Sequence, residues 1–344
     1  MQIISHYHAA VNLCLHFKLK NDIINARRGV VLKKIGPSFY IILALGIIIP
    51  FLALYAQFLQ GVFFVVYPAV MALIYKRKGP AATFFCAAIG LALTWIVTYD
   101  IIMLTIMLCP TLLGLVLGHG FRIGKSFKTL LLRGTVVFIL PILALICVES
   151  GSINDSVNVV FAESLETAKL WAEENPDTAG TFVADFSQLL DYTKGIFLRL
   201  IPAIAIISGL ITCYLAIVLA KYFLKISGLR FVYVPSFAFL RLSRSMTIFM
   251  VLSSVLALLP VDEKAVAAFQ NIAVIMLALA FFCGLSVVDF YVRQKISSGA
   301  ARFLLYSFTI FIISIFSTVP AMMLCAIGVI DSFFKLRVVR MKEG

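Results

Sequence analysis

Residues Glu149–Lys194 read ESGSINDSVNVVFAESLETAKLWAEENPDTAGTFVADFSQLLDYTK, the one long polar interval of the chain. Nine acidic residues (Glu149, Asp155, Glu163, Glu166, Glu173, Glu174, Asp177, Asp185, Asp191) stand here against two lysines, Lys169 and Lys194. Apolar segments of membrane-spanning length lie on both sides. Basic residues mark the cytoplasmic flanks of membrane spans, so an acid-rich block between spans is expected to face outward. That reading orients the chain and divides it into five regions. A basic cytoplasmic leader (1–38) precedes a first membrane half (39–148). The acidic segment (149–194) separates it from a second membrane half (195–334), and a basic tail (335–344) closes the chain.

Composition supports the membrane reading. Hydrophobic residues make up 62% of the chain and charged residues 13%, with a mean hydropathy of +1.06. A soluble domain is roughly 45–50% apolar and about 25% charged. The formal charge of +13 would suit nucleic acid, but its distribution argues against that partner. On the topology below, every Lys and Arg except Lys169, Lys194, Arg199 and Lys264 falls on the cytoplasmic side. Every acid except Asp22, Asp289, Asp331 and Glu343 falls outside. Orientation across a bilayer produces such segregation, and anionic lipid is the natural partner of the basic face. The seven cysteines (14, 86, 109, 147, 213, 283, 325) are scattered and absent from the outer block, so no disulfide framework is implied.

The leader carries Lys18, Lys20, Arg27, Arg28, Lys33 and Lys34. Its apolar run, Ala9 to Leu15, is too short for a cleavable signal peptide. His6, His8, Cys14 and His16 fit no familiar metal framework, so no metal is expected. Spans of about 20 residues are then predicted at Phe39–Phe58, Gln60–Tyr75, Ala81–Tyr99, Ile101–Gly118 and Thr129–Val148. Lys76, Arg77 and Lys78 fall inside, Tyr99 and Asp100 outside, and Arg122, Lys125 and Lys128 inside. Gly79-Pro80 marks a tight turn between the second and third spans.

Within the outer block Val157, Val160, Phe161, Leu165, Ala168 and Trp171 recur at helical spacing. Asn175-Pro176 breaks the pattern, and Phe182, Phe186, Leu189 and Leu190 resume it. Two amphipathic helices are expected, lying on the membrane or capping the bundle. Further spans follow at Gly195–Tyr222, Leu242–Pro260 and Val266–Phe290. A basic, aromatic stretch from Lys225 to Arg244 separates the first two, as an interfacial anchor or a docking surface for a cytoplasmic partner.

The last apolar run, Phe303 to Phe334, is read as two short helices broken at Val319-Pro320, because Lys335, Arg337, Arg340 and Lys342 follow it. Val287-Val288-Asp289 through Arg293 also resembles Val329-Ile330-Asp331 through Lys335. In each copy an acid precedes a base by four residues, a spacing that allows a local ion pair. Asp289–Arg293 and Asp331–Lys335 are expected as interface pairs worth about 0–1 kcal/mol each. The fold expected is an all-α integral membrane protein of about ten transmembrane helices: eight clear spans and a Pro-broken C-terminal hairpin, with both termini cytoplasmic.

Ionisable residues deep in a membrane are usually functional, and this chain has almost none, which disfavours ion-driven pumps. Gly118-x-Gly120-x-x-x-Gly124 follows a membrane helix and lacks Lys-Ser/Thr, so it is no nucleotide loop. No catalytic signature is found, and no enzymatic activity, catalytic residue or cofactor is expected. Small residues at spacing four occur at Gly114/Gly118, Ala88/Ala92 and Ala216/Ala220, where helices can approach closely. At the outer face Trp95, Tyr99 and Asp100 on the third span, with Gln270 and Asn271 on the eighth, form a candidate solute-binding group. Aromatic-belt anchoring explains Trp95 and Tyr99 equally well.

Three stretches carry a resemblance: Tyr67-Pro68 through Ala92, Val234-Pro235-Ser-Phe, and Ile327-Gly328-Val-Ile-Asp331-Ser-Phe-Phe-Lys-Leu-Arg337. Over Phe39–Arg337 the arrangement resembles the YybS-like family of bacterial multi-pass membrane proteins, a domain of unknown function. The second-to-third-span pattern is more distantly similar to the substrate-binding S components of energy-coupling-factor vitamin transporters and to the shape-determining protein MreD. These resemblances imply a multi-pass protein of the bacterial inner membrane. One implied role is a solute-binding subunit of a transport assembly. The other is a scaffold or regulator of envelope processes, meeting membrane or cytoplasmic proteins through its basic loops.

Overall fold

Helix boundaries follow from residues that stop one helix and start the next. The computed structural model describes residues 60–175, 182–258, 262–296, 298, 301, 318–334 and 336–337. Helix α1 (Gln60–Lys78) ends in Lys76, Arg77 and Lys78, cations that suit the negative end of a helix dipole. Gly79 follows at φ +88°, where a side chain would be strained, and Pro80 occupies the first turn of α2 (Pro80–Thr98). The Asp100 carboxylate accepts from the Ile102 N–H and caps α3 (Ile101–Ile123). Ser126 caps α4 (Phe127–Val148) in the same way.

Helix α5 (Ser150–Glu174) and the start of α6 (Phe182–Ile226) form a hairpin closed by Trp171 against Phe182, with ring centroids 5.1 Å apart. Here the structure differs from the sequence reading. The expected second amphipathic helix and the expected span from Gly195 are one continuous helix of 45 residues, about 68 Å long. The boundary drawn at 194/195 falls inside it. One glycine in a long helix costs only about 1 kcal/mol, too little to end it.

Helix α7 (Arg244–Leu256) has 13 residues, about 20 Å, so the expected Leu242–Pro260 span is shorter than the ~30 Å of hydrocarbon it was assigned to cross. Helices α8 (Glu263–Lys295) and α9 (Thr318–Phe334) complete the described set. Among the described residues the fold is all-helical, with a single 3-10 turn at Phe237–Phe239. Five of these helices (α2, α3, α4, α6 and α8) are long and apolar enough to cross a membrane. The leader, the expected span Phe39–Phe58, the run 303–317 and Lys335 lie outside the described residues. The break expected at Val319-Pro320 falls at their edge.

Helix α6 is the common wall of the bundle. It packs on α1 and α4 on one side and on α8 on the other. Leu113, Leu117, Cys213, Ala216, Ile217 and Ala220 are buried where α3, α4 and α6 meet. Helix α3 presses on α1 through Gly114, where a Cβ would stand 2.6 Å from Met71 Cβ, and through Gly118, where it would overlap Tyr75. Helices α8 and α9 cross at Gly284 and Gly328, each against the other helix's backbone carbonyl. Ala88 and Ala92 are exposed. Of the three small-residue pairs noted in sequence, two lie at helix contacts.

Candidate functional site

Trp95 and Tyr99 stand at the end of α2 with ring centroids 6.5 Å apart, and Tyr99 is 75% exposed. Tyr99 has φ 49° and donates its N–H to the Trp95 carbonyl, closing α2, while Asp100 opens α3. Both residues are thus held by the turn they form. Gln270 and Asn271 lie on α8, Gln270 half-buried. Asn271 has a defined structural task. Its Oδ1 accepts from the Ala203 N–H at 2.9 Å, and its Nδ2 donates to the Arg199 and Ala267 carbonyls, each at 2.8 Å. Pro202 removes one N–H from α6, and Asn271 engages both members of the adjoining 199/203 rung. It joins α8 to α6 where the proline weakens the ladder. The chief packing partners of α2 are α3 and α1, whereas those of α8 are α9, α7 and α6. The two groups therefore sit in different neighbourhoods, and the structure does not gather them around one space.

The densest polar constellation lies at the other end, where the basic residues collect. Arg293 Nε is 2.8 Å from both oxygens of Asp289, and Asp289 is only 1% exposed. Asp331 is likewise 1% exposed. Its Oδ2 lies 2.7 Å from Arg337 Nη2 and 3.7 Å from Arg241 Nε. Its Oδ1 is buried without a hydrogen-bond partner among the described residues. Both acids were expected at an exposed interface; instead the packing of α7, α8 and α9 encloses them.

Arg337, itself 5% exposed, acts as a clamp. Its Nη1 donates to the Ala238 carbonyl and to Ser286 Oγ, and its Nη2 donates to the Leu240 carbonyl. Ser286 donates to the Phe237 and Leu240 carbonyls, at 2.7 and 3.0 Å. Arg241 reaches the Asp331 and Ser332 carbonyls, and Thr247 donates to Ser332 Oγ at 2.8 Å. Lys221 of α6 donates to the Val234 carbonyl. An irregular segment needs partners for its backbone carbonyls, and the half-buried Lys221 of α6, Ser286 of α8 and Arg337 just beyond α9 supply them. Sequence reading missed Arg337 and Ser286 in these roles. Ser286 does carry a signal, three residues before Asp289 on one helix face. Arg337 does not, because six residues from Asp331 is no helix-face spacing.

Two clefts open between helices. One, about 530 Å³, is lined by Tyr75, His119, Lys125 and Arg133 among apolar neighbours. Tyr75 Oη and His119 Nδ1 are 3.1 Å apart at its edge. The other, about 560 Å³, lies between α6, α8 and the segment before α7, with Arg241 as the only charged lining residue among the described residues. Among the described residues no three His, Cys, Asp or Glu side chains gather to hold a metal ion.

Apolar helices packed through glycine and alanine, with charges collected at the ends, define an α-helical membrane protein. Residues 41–332 match the family described as predicted membrane protein (DUF2232), so the chain belongs to that family, whose function is unknown. Searches of curated proteins and of solved structures each returned no match.

Proposed function

We propose that this is a non-enzymatic, multi-pass protein of the bacterial inner membrane, with both termini cytoplasmic, that acts as a docking scaffold or regulator in envelope processes. The observation carrying this reading is the segment Ser227–Ser243. It is non-helical apart from one 3-10 turn, yet fixed from beneath by Lys221, Ser286 and Arg337. Holding it exposes Tyr233 (78%) and Phe239 (53%) beside the exposed cations Lys225, Arg230 and Arg244. Preformed aromatic and arginine side chains favour binding because little ordering is left to do on contact. The partner that fits is a cytoplasmic protein with an acidic surface.

A photo-crosslinking residue at Tyr233 should give one discrete product in cells, lost with Arg230→Glu. A crosslink to lipid alone, or none, would sink the docking role. Orientation is checked separately. Cysteines at Ser164 and Asp185 should react with an impermeant thiol reagent in intact cells. Those at Lys78, Lys128 and Lys342 should react only after permeabilisation. A second reading, a solute-binding subunit similar to S components, is favoured by the Trp95–Tyr99 ring pair. It predicts a thermal shift with vitamins, nucleobases or aromatic metabolites that disappears in Trp95→Ala.

A further inference from the structure

The cleft between α6 and α8 combines two chemistries that single out one kind of ligand. Its walls are apolar: Ile211, Leu215 and Val218 of α6 face Leu279 and Phe282 of α8. Both helices are among those able to cross a membrane, so the cleft runs along the bilayer. A volume of about 560 Å³ lies within the roughly 300–1,000 Å³ typical of small-molecule sites. At its basic end stands Arg241, whose side chain is 30% exposed. Its guanidinium is oriented by the Asp331 and Ser332 carbonyls, at 2.9 and 3.1 Å.

The charge balance at that end is uneven. Asp289 is chelated by its own Arg293. Asp331 is the acid shared by Arg337 and Arg241, with Arg337 much the closer. One carboxylate facing two guanidiniums leaves a positive excess, and Arg241, the outer of the two, lines the cleft. Arg244, exposed nearby and bonded to the Phe333 carbonyl, adds to that excess. An apolar slot at membrane depth with a positive mouth at the interface suits an acyl chain carrying a negative headgroup. Basic pockets between membrane helices bind anionic lipids for this reason.

We infer that the α6–α8 cleft is a binding site for an anionic diacyl phospholipid, with the acyl chain between the helices and the headgroup phosphate at Arg241. The site adjoins the exposed aromatic surface at Tyr233, being lined by Phe237, Leu240 and Leu242 of the same segment, and lipid binding in the cleft does not require a protein partner.

The full-length protein in detergent is melted with added 1-palmitoyl-2-oleoyl phosphatidylglycerol, with the matching phosphatidylcholine, and with inorganic phosphate. Phosphatidylglycerol should raise Tm in a saturable way, phosphatidylcholine should do so much less, and phosphate should have no effect. Losing one arginine near a headgroup corresponds to about 1 kcal/mol, so Arg241→Gln should weaken phosphatidylglycerol about five-fold. Leu279→Trp or Ala278→Phe, which fill the cleft without touching charge, should abolish the preference. Whichever of these keeps the unliganded Tm decides the matter. Lys225→Gln, the same charge change outside the cleft, should leave the preference intact. Equal shifts with the two lipids, a shift with phosphate alone, or a preference that survives the filled cleft would overturn the site. An equal loss in Lys225→Gln would also overturn it, by reducing the effect to general attraction.

Discussion

The two sides of α6 are held together by different means. On the α1–α4 side the interior is apolar, with Tyr67, Met71, Leu113 and Leu117 all at most 1% exposed. Three buried threonines there bond back along their own chain, Thr83 to the Gly79 carbonyl, Thr94 to Gly90 and Thr111 to Met107, while the buried Thr135 hydroxyl has no partner among the described residues. On the α7–α9 side lie the buried charged residues of the described chain, Asp289, Asp331 and Arg337, together with inter-helix bonds from Ser286 and Thr247. The first side is packed mainly by shape, with Tyr75–His119 and Lys76–Phe121 bonds between α1 and α3, whereas the buried charges of the described residues all lie on the second. In lipid the apolar surface of a helix gains little by meeting another helix, so close backbone approach or polar bonds must supply the attraction. Close backbone approach serves both sides, at Gly114 and Gly118 and at Gly284 and Gly328, and buried charge is added on the side where an irregular segment has to be supported.

That contrast is broken most severely at Arg337. Arg337→Gln leaves the Asp331 carboxylate only the more distant Arg241 and strips the Ala238 carbonyl of its Arg337 bond, so a loss of about 3–5 kcal/mol is expected in denaturant titration. Trypsin should then cut at Arg230 faster than in the parent protein. On the shape-held side the largest effect should come from Gly118→Leu. The added side chain meets Tyr75, and overpacking of this kind costs about 1–3 kcal/mol without speeding cleavage at Arg230.

A smaller loss is expected from Asn271→Ala, which removes the polar link between α8 and α6. Hydrogen bonds between membrane helices average about 0.6 kcal/mol and reach about 1.7, and the upper figure applies because Asn271 makes two across to α6. Least affected should be Ala88→Leu, within about 0.5 kcal/mol, since Ala88 is exposed. A large loss there would mean that α2 has a packing partner on that face.

What was readable in advance divides along the same line. Turn chemistry is local, so Gly79-Pro80 announced the α1–α2 junction, and its φ of +88° shows why glycine is there. Periodicity is local too, and it disclosed the helical hairpin of the acidic block. It did not disclose that the second helix continues through Gly195, because a change from polar to apolar composition was read as a boundary. Helix propagation depends on backbone hydrogen bonds and not on which solvent surrounds them. Small-residue spacing suggested three contacts alike, and only tertiary packing tells the buried Ala216/Ala220 from the exposed Ala88/Ala92.

The candidate site was least readable, for a physical reason. Asn271 meets the rung beside Pro202, and Arg337 meets Ala238 and Ser286, across long stretches of chain that no local spacing records. The acids at 289 and 331 were visible as residues, but their burial depends on helices assembled from elsewhere. A rule suited to exposed pairs gave about 0–1 kcal/mol. For the enclosed Asp331 the relevant comparison is a buried pair, where losing one partner costs several times more.

Asp331 and Arg337 act as one buried unit supporting the basic end. A double-mutant cycle on purified protein tests it, using Asp331→Asn, Arg337→Gln and the combined variant. The account predicts strong coupling: each single change destabilises, and the double is about as stable as the worse single, an interaction of about 2 kcal/mol or more. Losses that simply add, to within about 0.5 kcal/mol, would show two independent residues and contradict it.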